Sequence, residues 1–123
     1  MTVNEIIAAA DQKEPNSVSR AEKLRWLCAL DGRIAREVLM THEGFDDADD
    51  TYAYTDGTET LLIPSPYGEE IYTRYLIAMI AADNAETARY NQQIAMYNAA
   101  YREWWSRLNA THTPLHGGGR FLF

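Results

Sequence analysis

The stretch Ser19–Val38, SRAEKLRWLCALDGRIAREV, decides the fold class of this chain. Ser19 and Glu22 have the spacing of a capping box, in which each side chain accepts a hydrogen bond from the other residue's backbone N–H. The pattern predicts a long helix that ends near His42 to Gly44, where Gly44 can supply a left-handed cap. Apolar residues follow the cap at intervals of three or four, which is typical of a core-facing stripe: Leu24, Leu27, Leu30, Ile34 and Val38.

A short helix is predicted upstream and a long one downstream. Thr2 and Glu5 again have capping-box spacing, so residues 2–10 should form a short N-terminal helix. Ser65 as N-cap and Pro66 as the first helical residue predict a helix from Pro66 to about Asp83. The apolar side of that helix comprises Tyr72, Tyr75, Leu76, Met79 and Ile80.

The last helical segment can be divided in two ways. Asp83 and Glu86 have N-cap and N3 spacing, which predicts a new helix that runs to about Asn109. No Gly or Pro separates it from the preceding helix, so one continuous helix over 66–109 remains an alternative. One side of this segment is apolar and aromatic: Tyr90, Ile94, Tyr97, Tyr101, Trp104, Trp105 and Leu108.

Two segments are predicted to be non-helical. Asp56-Gly57 lies between the candidate strands Tyr52–Thr55 and Thr58–Ile63, which predicts a β-hairpin at about 51–63 within an insertion over 45–63. Gly117-Gly118-Gly119 predicts a flexible tail over 111–123. The expected fold is therefore mainly α: a single domain over 1–110, a small bundle with a short N-terminal helix and two or three long helices.

Charge is distributed unevenly along the chain. The net charge is −7, and the stretch from Glu43 to Glu59 contains seven acidic residues and no Lys or Arg. The rest of the sequence has no basic stripe, so specific binding of nucleic acid or of an anionic membrane surface is not expected. The longest apolar run, Leu76 to Ala82, is too short to cross a bilayer, and the N-terminus has no signal-peptide pattern.

Residue types that carry chemistry are scarce. The lone cysteine, Cys28, lies in an apolar stretch and is interpreted as a small buried hydrophobic residue. His112 and His116 have a metal-binding spacing, but Pro114 between them disfavours a helix. The acids at 46–50 fail the EF-hand pattern, because its sixth position should be glycine. We expect no metal, no cofactor and no catalytic residues; an enzyme with an unrecognised pair of carboxylates remains an alternative.

Aromatic residues suggest protein contacts instead. Eight Tyr and three Trp are many for 123 residues, and both types suit surfaces that become buried on assembly. The alternative for any one of these rings is that it fills the chain's own core. The apolar tip after the glycines is interpreted as a segment that docks on another subunit, with a frayed terminus as the alternative. The hypothetical interface residues are Tyr52, Tyr54, Trp104, Trp105, Phe121, Leu122 and Phe123.

Three stretches resemble a known family. Residues 23–44 (KLRWLCALDGRIAREVLMTHEG), 66–76 (PYGEEIYTRYL) and 86–101 (ETARYNQQIAMYNAAY) resemble head–tail connector, or adaptor, proteins of long-tailed bacteriophages and prophages. The resemblance implies a helical subunit that assembles with copies of itself into a ring. It also implies binding to the portal protein and to the next neck or tail component, and a location in the virion after synthesis in the bacterial cytoplasm.

The acidic cluster fits that context as a hypothesis. Acidic side chains on a ring lumen would repel passing DNA, and the candidates are Asp46, Asp47, Asp49 and Asp50. The alternative function is a small prophage-encoded regulatory or chaperone-like module that binds one protein transiently.

Overall fold

The computed structural model describes residues 2–37, Tyr54 and 57–111. These residues form four helices: α1 (Val3–Lys13), α2 (Arg20–Glu37), α3 (Tyr67–Asp83) and α4 (Thr87–Thr111). Helix α3 lies at the centre, because it packs along α4 and also contacts α1 and α2. The predicted mainly helical fold is confirmed.

The capping box at Thr2 forms as predicted, and at Ser19 one of the two predicted hydrogen bonds forms. The Thr2 hydroxyl accepts the backbone N–H of Glu5 at 3.3 Å, and the Glu5 carboxylate accepts that of Thr2 at 2.9 Å. The Ser19 hydroxyl accepts the N–H of Glu22 at 3.2 Å. Helix α1 continues to Lys13, one turn beyond the prediction. The predicted end of α2 near His42 to Gly44 lies outside the described residues.

The start of α3 differs from the prediction by one residue. Pro66, not Ser65, occupies the N-cap position, and no side chain caps the helix there. The Ser65 hydroxyl instead donates to the Glu69 carboxylate at 2.6 Å. This bond joins two side chains and does not cap a backbone N–H of α3.

Helices α3 and α4 are separate, so the continuous-helix alternative is wrong. Asp83 is the last residue of α3 and does not cap α4. Ala85 adopts a positive φ of 58°, and the N–H of Glu86 donates to the Ala81 carbonyl at 2.9 Å. This is the hydrogen bond of a Schellman turn, which usually has glycine at the left-handed position. Alanine occupies that position here, so the glycine that usually indicates such a turn is missing from the sequence.

The described part of the predicted hairpin, Tyr54 and 57–63, contains no strand. The carbonyls of Gly57 and Glu59 accept the N–H groups of Asn4 at 2.9 Å and of Val3 at 3.0 Å. These carbonyls satisfy two of the free donors that every helix N-terminus exposes, so they are not available to a partner strand. Gly57 does turn the chain, with φ +86°. Positions 51–53 and 55–56 lie outside the described residues.

One hydrophobic core joins the four helices. The predicted stripe of α2 is confirmed up to Ile34, because Leu27, Leu30 and Ile34 are at most 2% exposed while Leu24 is half-buried. Val38, the last residue of the predicted stripe, lies outside the described residues. Each such side chain contributes about 1.5–3 kcal/mol through burial. On α3, Tyr75 and Met79 are half-buried. The fully shielded residues on that helix are Ile71, Tyr72, Leu76, Ala78, Ile80 and Ala81.

Candidate functional site

Asp31 is a carboxylate buried within the apolar face of α2. It has no exposed surface. One oxygen, Oδ2, accepts the Tyr54 hydroxyl at 2.5 Å and the backbone N–H of Leu62 at 3.1 Å. The other, Oδ1, accepts the Tyr72 hydroxyl at 2.5 Å. A buried carboxylate is tolerated only when such donors replace water, and here three donors do so.

The Tyr72 hydroxyl extends this arrangement into a network. It donates to Asp31 and accepts the N–H of Ile63 at 2.8 Å. The Tyr54 backbone N–H in turn donates to the Cys28 sulfur at 3.2 Å. We call Asp31, Tyr54 and Tyr72 the carboxylate–tyrosine cluster. It links α2, the segment before α3 and α3 itself.

Burial dominates the electrostatics of the cluster. Removal from water raises the pKa of Asp31, and the hydrogen bonds from Tyr54, Tyr72 and Leu62 only partly offset that effect. Burial also raises the pKa of Tyr72 well above its usual value, and the neighbouring Asp31 charge adds to the rise. Perturbed pKa values often mark active sites, but these groups are shielded from solvent and already bonded to one another. The arrangement is therefore suited to holding three segments together.

Other polar contacts also connect elements. Lys23, which is almost fully buried, pairs with Asp11 at 2.7 Å and joins α2 to α1. Arg74 on α3 donates to the Gln93 side chain of α4 at 3.1 Å. An ion pair between Arg89 and Glu14 joins the start of α4 to the end of α1. These pairs fix the relative positions of the helices.

Two open depressions lie on the described surface. A groove of about 350 Å³ runs between α1 and α3 and includes two carboxylates, Glu5 and Glu69. Both already have partners, since Glu5 caps α1 and Glu69 accepts the Ser65 hydroxyl. The capping contacts with Thr2 lower the pKa of Glu5, so it is ionised at neutral pH. The second depression, of about 200 Å³, surrounds the α3–α4 turn. Neither encloses a ligand-sized volume away from solvent.

Three of the predicted interface aromatic residues are core residues instead. Tyr54 is 7% exposed, and Trp104 and Trp105 are each 5% exposed. Trp104 packs edge-on against Tyr101 with ring centroids 5.6 Å apart. This placement corrects the interface prediction, because these rings offer almost no surface to a partner. The other predicted site residues lie outside the described residues: Tyr52, Phe121, Leu122, Phe123, Asp46, Asp47, Asp49 and Asp50.

The aromatic residues form a row along the α3–α4 contact. Tyr75 packs on Tyr97 at 5.3 Å between ring centroids, and Tyr97 packs on Tyr101 at 5.8 Å. Tilted and edge-on pairs of this kind contribute about 0.5–1.5 kcal/mol beyond their buried area. These three tyrosines therefore stabilise the packing of α3 on α4.

The described residues contain neither a metal-binding cluster nor a membrane-spanning helix. Within 2–37, Tyr54 and 57–111, no group of three or more His, Cys, Asp or Glu side chains is positioned to hold a metal ion. None of the four helices is long and apolar enough to span a bilayer. His42, His112 and His116 lie outside these ranges.

No protein-family model, curated protein or solved structure matches this chain.

Sequence reasoning missed the main feature, Asp31. A signal was present, since Asp31 stands four residues after Leu27 and three before Ile34, on the same helical face. An acid on a core-facing stripe needs buried donors. Its partners, Tyr54 and Tyr72, are 23 and 41 residues away, so the sequence did not reveal which donors they would be.

Proposed function

We propose that this chain is a structural subunit of a phage or prophage virion neck. In this proposal it is a head–tail connector that forms a ring with copies of itself and binds the portal and the next neck or tail component. The observation offered in support of the proposal is the carboxylate–tyrosine cluster. The most deeply buried acid among the described residues has both oxygens bonded to the chain's own donors, which favours a structural role for this carboxylate.

A ring subunit needs this kind of rigidity. Closed rings use heterologous interfaces, in which two different patches of each subunit must keep a fixed relative orientation. Polar side-chain contacts between helices, such as the ion pair Lys23–Asp11 and the hydrogen bond Arg74–Gln93, fix the relative positions of the helices. The resemblance of residues 23–44, 66–76 and 86–101 to connector proteins supports the same class of function.

The test is assembly in solution and on the portal. The purified chain is analysed by size-exclusion chromatography with light scattering, alone and mixed with the portal protein of the same phage. The proposal expects a ring, or comigration with the portal. A firm monomer that also fails to bind the portal would contradict it.

The acidic cluster at 46–50 is proposed to face the lumen of such a ring. Negative side chains there would keep DNA from adhering during passage. Replacement of Asp46, Asp47, Asp49 and Asp50 by Asn should slow DNA ejection or lower infectivity while leaving particle assembly intact. Normal infectivity of the quadruple variant would remove this part of the proposal.

A further inference from the structure

The groove between α1 and α3 presents hydrogen-bond acceptors to solvent. We call it the α1–α3 groove, and its lining residues are Glu5, Ile6, Ala9, Ser65, Glu69 and Thr73. Each of the two carboxylates accepts a hydrogen bond through Oε1, from the Thr2 N–H and from the Ser65 hydroxyl. An ionised carboxylate accepts several hydrogen bonds, so both keep acceptor capacity. None of the six lining residues is basic, so the groove carries negative charge.

Thr73 places a buried hydroxyl in the wall of this groove. The residue is only 5% exposed, and no group within 2–37, Tyr54 and 57–111 is hydrogen-bonded to its hydroxyl. Most buried polar side chains have a hydrogen-bond partner, so this one indicates a partner from outside these ranges. Ile6, which is buried, and Ala9, which is half-buried, add apolar surface to the same groove. These features together suit a cation on an aliphatic stem.

We propose that the α1–α3 groove binds Arg120, together with the apolar residues that follow it, from a second copy of this chain. Ten of the eleven Lys and Arg residues lie in the four helices, and Arg120 is the eleventh. It follows Gly117-Gly118-Gly119, which is expected to act as a tether, and precedes Phe121-Leu122-Phe123. Its charge is opposite to that of the groove, and its neighbours match the apolar surface.

The chemistry of an arginine side chain fits the lining residues. The guanidinium presents five N–H donors in a planar fork, which can bond to the two carboxylates and to the Thr73 hydroxyl. The methylene stem of an arginine covers apolar surface while its head stays among polar groups, and Ile6 and Ala9 supply that surface. Arginine and aromatic residues are also enriched in interface cores, as expected for Arg120 and the rings that follow it.

The tether can deliver Arg120 to such a groove. Three residues separate α3 from α4, and Tyr75 packs on Tyr97, so the two helices are antiparallel. The end of α4 at Thr111 therefore lies toward the same end of the helical pair as Glu69. Nine residues lead from Thr111 to Arg120, and they span up to about 30 Å when extended. That length reaches from one copy to the groove of an adjacent copy.

A tail bound in a neighbour's groove joins two different patches. Each copy gives one tail and receives one, which is the heterologous pattern from which closed rings are built. The inference therefore rests on the proposed function and names the contact that links successive subunits.

Disulfide cross-linking of full-length chains tests the contact. In a Cys28→Ala background, a tagged chain with Leu122→Cys is mixed with an untagged chain with Ala9→Cys and oxidised mildly. The disulfide-linked heterodimer should form at least about tenfold faster than with Ala8→Cys, because binding raises the local concentration of the tail at the groove. Ala8 is the matched control, since it is exposed on α1 and does not line the groove. Circular dichroism establishes that each variant is folded.

Exchange of charges tests the chemistry. Arg120→Glu in the tagged chain should slow the cross-link to Ala9→Cys by about tenfold or more, because charge-assisted hydrogen bonds are lost. Glu69→Lys in the untagged chain should restore the rate. Glu70→Lys, at the next exposed position of α3 and outside the groove lining, should not.

Three results would overturn the proposal: equal rates at positions 8 and 9, no restoration by Glu69→Lys, or an internal disulfide in preference to the intermolecular one when a single chain carries both Leu122→Cys and Ala9→Cys. Any of these in a chain that still forms rings or binds the portal would reject the tail site and leave the proposed function standing. Specific cross-linking in a chain that fails to bind the portal would support the tail site and count against the proposed function.

Discussion

At the scale of single residues, Asp31 explains most about this molecule. It places a carboxyl group on a helix face that also carries Leu27 and Ile34, and the fold supplies donors from two other segments. Breaking one donor leaves a buried acceptor unsatisfied, which costs more than the hydrogen bond contributes. Substitutions at Tyr72 and Asp31 therefore test the contribution of the cluster to stability.

Tyr72→Phe should lower the free energy of unfolding by about 2–3 kcal/mol. The substitution removes the donor to Asp31 and the acceptor for the N–H of Ile63 without changing the ring. Urea denaturation measures the effect. Tyr75→Phe, at a half-buried position of the same helix, is the control and should change stability by less than about 0.5 kcal/mol. Equal losses in the two variants would show that the cluster contributes nothing special.

The pH dependence of stability should carry the sign of a buried acid. Burial raises the pKa of Asp31 above its ordinary 3.8, so the folded chain binds this proton more tightly than the unfolded chain does. The contribution of Asp31 is then fully present below pH 3.8 and is lost as the pH rises through the folded-state pKa.

Comparison with Asp31→Asn isolates this group from the other acids. Urea denaturation of both proteins from about pH 3.5 to pH 7 should show wild type losing stability relative to Asp31→Asn as pH increases. The opposite trend would mean that the three hydrogen bonds outweigh burial and that the pKa of Asp31 is lowered.

At the scale of elements, local sequence signals predict the helices, whereas tertiary contacts determine the conformation of the segments between them. The caps at Thr2 and Ser19 involve residues three apart, so the sequence contains all that is needed to predict them. The carbonyls of Gly57 and Glu59 cap a helix more than 50 residues earlier in the chain, and no local pattern distinguishes that arrangement from a hairpin. The sequence does not decide between one helix and two over 66–109, because alanine, and not the usual glycine, adopts the left-handed turn between α3 and α4.

That turn supplies an element-level prediction. Ala85→Gly should raise the free energy of unfolding by about 0.5–1 kcal/mol, because glycine adopts a positive φ without the steric cost that a Cβ imposes. Thermal unfolding measures the gain. Ala29→Gly, at an exposed position inside α2, is the control and should cost up to about 1 kcal/mol. A loss of stability in Ala85→Gly would contradict the left-handed turn.

At the scale of the whole molecule, the aromatic residues act differently from the expectation. The sequence predicted that Trp104 and Trp105 serve an external interface, yet both are buried. Hydrophobic periodicity placed them correctly on the core side of their helix, and only the choice between an internal and an external partner was wrong. The choice depends on which helix packs against the tryptophan side of α4, and a single sequence does not reveal that.

The C-terminal segment supplies a prediction at this scale. Deletion of residues 117–123 should leave the melting temperature of the isolated chain nearly unchanged and should weaken assembly on the portal. A glycine triplet is expected to act as a flexible tether, and the apolar tip is proposed to bind another subunit. A lower melting temperature of the isolated, truncated chain would instead place the tip in the core.

The most direct test of the central claim, that this chain is a virion component, is quantitative mass spectrometry of purified particles from the phage or prophage that is proposed to encode it. The account predicts that the chain is present in a fixed multiple of copies for each portal ring. A chain that is abundant in the infected-cell lysate and absent from purified particles would contradict the account and favour a transient regulatory or chaperone-like role.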